Sequence, residues 1–250
     1  MYGIFIHSRL ALSLGALILL VVLLASTSCS KKQTVIQPAE EYYATAIEFM
    51  DKKQYTAAVE QFEELQTFHP LSPYTQISEL EKISANYGLG DYGETFYLSR
   101  RFIEFYPDSP QLDFAYYMMG RAEYARGVAL IDRFNERELK RARASYRTFR
   151  QLVEEFPKSN YVIEATAHMR HIRNILARDE LKVAQYYFKR FSYVATIDRC
   201  INILENFPNS PYNLAALELL EQSYRKLGWD EEADKLASVY SDNANLYDAN

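Results

Sequence analysis

One six-residue joint occurs four times along this 250-residue chain. The copies are Phe68-His69-Pro70-Leu71-Ser72-Pro73, Phe105-Tyr106-Pro107-Asp108-Ser109-Pro110, Glu155-Phe156-Pro157-Lys158-Ser159-Asn160 and Asn206-Phe207-Pro208-Asn209-Ser210-Pro211. The first proline of each ends a helix, because it has no N–H to donate and clashes with the preceding turn. The serine two residues later is a natural N-cap. In three copies a second proline then stands where an N1 residue needs no donor. Helix–stop–helix joints 37, 50 and 51 residues apart constrain the chain to a helical repeat protein.

The segments before the joints share a register. Twelve residues ahead of the first proline stand Ala58, Thr95, Ser145 and Thr196, all small. Five ahead stand Leu65, Phe102, Leu152 and Ile203, and six after the serine stand Ser78, Ala115, Ala165 and Ala216. Small residues at one height let a neighbouring helix approach, while the apolar set faces a shared core. The expected helix pairs are 40–52 with 54–68, 73–88 with 91–105, 110–127 with 138–155, 159–190 with 193–206, and 210–227 with 230–247. Gly88 to Asp91 and Gly228 are expected C-cap turns. The third pair has an enlarged turn, Val128 to Arg137, and the fourth a long or broken first helix. Spacing, small residue, aromatic and terminal proline resemble tetratricopeptide repeats. The implied fold class is all-α, a solenoid of about five helix pairs with a concave face.

Ahead of the repeats lies a different kind of sequence. Residues 1–28 combine Arg9, a sixteen-residue apolar run from Leu10 to Ala25 and the small residues Ser26-Thr27-Ser28, and read as a signal peptide. The run is shorter than the roughly 20 residues of a spanning helix. Cys29 directly after it resembles the acylated cysteine of a bacterial lipoprotein, although Ser26 stands where leucine is common. An uncleaved anchor, or a signal peptide with an incidental cysteine, is the alternative. Acylation anchors because each buried methylene adds about 0.8 kcal/mol. Ser30, not aspartate, follows the cysteine, which by lipoprotein sorting allows export to the outer membrane. Residues 29–38 read as the lipidated N-terminus and a polar tether.

The remaining chemistry favours binding over catalysis. The net charge of −5 advertises no nucleic-acid partner. Glu164, His168 and His171 share a helix face and could in principle hold a metal. However, Arg170 and Arg173 crowd them and no fourth ligand is evident, so solvated or groove-lining histidines are the simpler reading. Cys200, in register with Phe62 and Phe149, reads as a small apolar filler. No nucleophile elbow, phosphate loop or paired-carboxylate signature is present, so the chain is not expected to be an enzyme. The sequence carries 21 tyrosines, more than packing obviously requires, and tyrosine suits a peptide-binding groove. Packing tyrosines explain any single one equally well.

Three stretches carry a family resemblance. They are Asp113 to Gly120, Ala142 to Phe149, and above all Val183 to Arg190 with Tyr193-Val194-Ala195 and Arg199. With the cysteine and the joints, they resemble the BamD family, lipoprotein subunits of the outer-membrane β-barrel assembly machinery. The 128–137 turn is a departure, shorter than the family's loop. The resemblance implies a scaffold lipid-anchored through Cys29 at the periplasmic face of the outer membrane, with no cofactor beyond the lipid. It implies that repeats 39–127 bind unfolded outer-membrane proteins. It also implies that repeats 128–250 dock on the POTRA domains of the barrel subunit and on smaller lipoproteins. Arg199, Arg190 and Tyr193 are expected at the docking end, and Tyr74, Tyr116 and Tyr117 in the substrate groove. The rivals are another envelope repeat scaffold, serving division or cell-wall synthesis, and a metal-dependent hydrolase centred on His168 and His171.

Overall fold

The computed structural model describes residues 36–128 and 136–247, with side chains through 238. The signal peptide, Cys29 and most of the tether lie outside the described residues, as does most of the 128–137 turn. Ten helices and no strand occur among the described residues. They are α1 (Ala39–Asp51), α2 (Tyr55–Phe68), α3 (Pro73–Leu89), α4 (Tyr92–Phe105) and α5 (Leu112–Gly127), followed by α6 (Glu136–Glu155), α7 (Val162–Lys189), α8 (Tyr193–Asn206), α9 (Asn213–Leu227) and α10 (Asp230–Tyr247). The expected pairs are therefore present, to within a few residues at their ends.

Both kinds of connection repeat at atomic detail. In every joint the serine N–H donates to the aromatic or histidine carbonyl three residues back, at 2.9–3.2 Å. Its Oγ accepts from the N–H two residues on: Tyr74 at 3.2 Å, Gln111 at 3.3 Å, Tyr161 at 3.1 Å and Tyr212 at 3.3 Å. Proline at N1 is realised only at Pro73. At the other three joints the chain makes one tight turn first, and the helix begins at Leu112, Val162 or Asn213. The cap chemistry is common to all four joints while the helix start shifts.

At the opposite edge, the turns at Lys53, Gly90, Phe191 and Gly228 share one geometry. Each of these residues has positive φ, between 56° and 78°, and reverses the chain through a pair of bonds to the end of the preceding helix. This is the helix C-terminal motif that favours glycine. The C-cap turns expected at Gly88 to Asp91 and at Gly228 are thus present, with Gly90 taking the left-handed position in the first.

The register fixes the core. Ala58, Thr95, Ser145 and Thr196 are fully buried, as are Leu65, Phe102, Leu152 and Ile203, and Ser78, Ala115, Ala165 and Ala216. Ser145 sits so close to α5 that its Oγ donates to the Gly120 carbonyl at 2.8 Å. A Cβ on Gly120 would stand 2.7 Å from the Phe149 ring.

α7 is one unbroken helix of 28 residues, about 42 Å long at 1.5 Å per residue. Its first half, through Leu176, packs into the central core with α3 to α6. From Ala177 onward it packs with α8 and α9. Consecutive first helices touch (α1–α3, α3–α5, α5–α7, α7–α9), whereas no two second helices do so among the described residues. The first-helix side of the stack is therefore the tighter, concave side.

Candidate functional site

The corner where α7 turns into α8 gathers the residues expected at a docking end. Arg199 on α8 donates to Glu180 of α7 at 2.8 Å, and Glu180 is mostly buried. Beside it lies an open cleft of about 430 Å³, lined by Tyr187, Ala195, Asp198, Arg199 and Asn202. Tyr187 packs edge-on against Tyr186 at 5.7 Å, and the guanidinium of Arg190 sits 4.5 Å over the Tyr186 ring. Arg190 and Arg199 thus belong to one continuous surface, joined through two tyrosines. Tyr193 lies around the corner, edge-on to Phe188 at 5.4 Å and Phe191 at 6.4 Å.

Phe191 is the unusual member. It is 78 % exposed and holds φ at 60°, at the position glycine occupies in two equivalent turns. The sequence reading passed over it. Aligning it with Gly90 and Gly228 is the signal that would have found it.

The three tyrosines expected in a groove do not form one surface. Tyr74 stands in the first turn of α3, with its ring 5.2 Å from Tyr43 of α1. Tyr43, half-buried and close to Glu81, has its phenol pKa pushed up by burial first and by that carboxyl second. Tyr116 leans towards α6, where its hydroxyl accepts from Gln151 Nε2 at 3.0 Å. Tyr117 turns the other way, towards α7, and stacks on Tyr161 at 4.5 Å. At 4 % exposure its ring belongs to the helix seam and presents no groove wall. Adjacent residues on a helix point about 100° apart, so the pair splits between two neighbours.

Between α5 and α7 the concave side carries a cluster that the sequence reading did not assemble. Arg121 lies 4.2 Å over Tyr87 and 5.4 Å from the Tyr117 ring. His168 stacks on Phe149 at 5.1 Å and tilts against Tyr124 at 4.4 Å. The Tyr124 hydroxyl and His171 Nδ1 share a 2.5 Å hydrogen bond. Glu164 Oε1 is 3.7 Å from His168 Nε2, beyond hydrogen-bond reach. Burial, foremost, pushes the His168 pKa down, with Arg121 adding to the shift and Glu164 opposing it. These histidines are bound up with aromatic rings, as packing and groove-lining groups would be.

Cys200 is fully buried, and burial pushes its thiol up to about 12, so it packs as the filler expected and is no thiolate nucleophile at neutral pH. Among the described residues no helix is long and apolar enough to cross a membrane.

The chain is similar to known proteins over most of its length. Residues 36–239 match the YfiO family, described as an outer membrane lipoprotein. The outer membrane protein assembly factor BamD of Pasteurella multocida is 33% identical over 226 residues, which cover 88% of this chain and 86% of the relative. BamD of Neisseria meningitidis serogroup A is 30% identical over 218 residues, 82% of each chain. BamD of Haemophilus influenzae is 28% identical over 240 residues, 94% of this chain and 89% of the relative. Among solved structures, the TPR2AB domain of yeast Sti1 in its pHSP90 complex superposes with a TM-score of 0.48 at 13% identity, over 80% of this chain and 75% of that one.

Proposed function

The chain belongs to the YfiO family of outer membrane lipoproteins, and on that footing we propose that it is an assembly factor for outer-membrane β-barrel proteins. It works as a scaffold, anchored at the periplasmic face of the outer membrane by lipid on Cys29, and carries out no covalent chemistry. The observation that carries the reading is similarity over nearly the whole repeat region to curated assembly factors. The all-helical repeat stack and a fully buried, high-pKa Cys200 agree with a scaffold.

The docking end is the α7–α8 corner. Arg199, Arg190 and the exposed aromatic surface between them meet the POTRA region of the barrel subunit. An arginine beside exposed aromatic rings is the residue mixture that dominates binding energy at protein interfaces. Smaller accessory lipoproteins dock on the same C-terminal repeats. Unfolded outer-membrane chains bind in extended form along the concave face of the N-terminal repeats. Tyr74 contributes there with Tyr43, using backbone bonds and aromatic pockets. Tyr116 takes part from the α5–α6 side. Tyr117, whose ring is buried, holds Tyr161 and α7 in place.

The test is co-purification from detergent-solubilised envelopes with a C-terminal tag, comparing wild type with Arg199→Glu. Recovery of a large β-barrel protein with POTRA domains from wild type, weakened by the reversal, is expected. Recovery of division or cell-wall enzymes without a barrel partner would replace the assembly reading with a general envelope scaffold.

A further inference from the structure

Three of the most exposed large apolar residues occupy one edge of the stack. Leu71 is 98 % exposed, Ile163 85 % and Phe105 71 %. They lie at the first, third and second joints, where a second helix hands over to the next first helix. Phe68 and Ile77 add exposed surface at the first joint. At the fourth joint the positions of Phe105 and Leu71 are taken by Asn206 and Asn209. On the other edge, Phe191, Val194 and Trp229 are exposed towards the C-terminal end, and Leu89, 46 % exposed, is a lone counterpart in the N-terminal repeats.

The chain enters the repeats at the joint edge. Tyr42, in the first turn of α1, lies 6.1 Å from the Phe68 ring and 6.0 Å from the His69 ring. Cys29 precedes Pro38 by nine residues, and a chain of that length spans at most about 30 Å. A lipid on Cys29 therefore allows the entry to α1, beside the first joint, no more than about 30 Å from the bilayer surface, and within that reach weak apolar contacts act at high effective concentration.

We infer that the edge formed by the first three joints contacts the membrane, with Leu71, Phe105 and Ile163 entering the interfacial layer of the leaflet that holds the acyl chains of Cys29. The occupant is the lipid surface itself. The joints carry both signs of charge, with Lys158 near Glu155 and Asp108 beside Phe105, so apolar insertion drives the contact and anionic lipid is not required. Seating one such side chain in apolar surroundings is worth about tenfold in partition, so three bias a tethered chain strongly. The edge would set the orientation in which the concave face and the docking corner meet their partners. The inference rests on the lipid-anchored reading.

The experiment uses the full lipidated chain in phosphatidylcholine–phosphatidylethanolamine vesicles. An environment-sensitive nitrobenzoxadiazole probe is attached at Leu71→Cys or, as the control, at Asp51→Cys at the far end of α1. Cys29 is acylated and Cys200 is buried, so the introduced thiol takes the label. The mass of the N-terminal peptide checks acylation separately, so loss of the anchor is not confused with failure of the edge to insert. The Leu71→Cys probe should shift to the blue and be quenched by shallow spin-labelled lipid, at high and low salt alike, while the Asp51→Cys probe shows neither effect. Adding Phe105→Asp and Ile163→Asp, both at exposed positions, should abolish the quenching while the anchor stays in place. Equal signals at the two sites, quenching indifferent to the acidic substitutions, or dependence on anionic lipid would overturn the inference. So would shielding of the Leu71→Cys probe by a protein partner in native envelopes but not by lipid.

Discussion

Replacing Phe191 by glycine should stabilise the protein, although it removes a large side chain. Phe191 holds φ at 60° in a turn whose equivalents at 90 and 228 are glycines. A residue with a Cβ pays about 1–2 kcal/mol in that region, and a bulky one is a true outlier there. Glycine returns about 0.5–1 kcal/mol of this through the greater freedom of the unfolded chain. The lost side chain contributes little packing, because it is 78 % exposed and meets the Tyr193 ring only edge-on at 6.4 Å. The balance is a gain of about 0.5–1 kcal/mol, or a rise of about 1–4 °C in Tm for a chain of this size. Trp229, the sole tryptophan, lies one helix pair further on against Tyr224 and reports the unfolding of these terminal repeats by fluorescence. Urea and thermal melts followed at Trp229 should shift upward for Phe191→Gly and hardly move for Phe191→Ala, which keeps the Cβ. A fall with Phe191→Gly, or equal gains from both variants, would show that the turn stores no backbone strain.

Other substitutions probe the seams and the buried groups. Gly120→Ala should cost about 1–3 kcal/mol, read as a lower urea midpoint, because its Cβ meets a fully buried Phe149 that has no room to yield. Cys200 should resist alkylation in the folded chain up to pH 10 and react at once in denaturant, as followed by mass spectrometry. The His168 pKa is lower in the folded chain than in the unfolded one, so the unfolded chain binds the proton more readily. Stability should therefore fall as pH drops below the ordinary histidine value of about 6.5, and His168→Gln should flatten that dependence in denaturant titrations from pH 8 to 5.

What was legible in the sequence was whatever the repeat imposes. Residues twelve and five ahead of each proline, and six after each serine, are buried in all four copies because helices stacking at one distance need the same size of side chain at the same height. The serine caps were legible for the same reason. The helix starts were less so: Ser72 hands directly to Pro73, whereas the other joints insert a tight turn that neither proline nor serine announces. The unbroken α7 was ambiguous because its two halves serve different cores, and only packing shows that the helix continues between them.

The candidate site was legible in part. Arg190 and Arg199 stand out in sequence and meet one surface through Tyr186 and Tyr187. The tyrosines could be counted but not assigned, since Tyr116 and Tyr117 differ only in which neighbour each faces. The Arg121–Tyr87 contact escaped because its partners lie on different repeats, and no local pattern joins them.

The most direct test of the assembly role is to deplete the protein from cells and measure the folded fraction of outer-membrane β-barrels by their heat-dependent gel mobility. The account predicts that folded barrels decline while other lipoproteins and inner-membrane proteins keep their levels, and that Arg199→Glu restores folding less well than wild type. Unchanged barrel folding after depletion, with defects in division or wall synthesis instead, would contradict it.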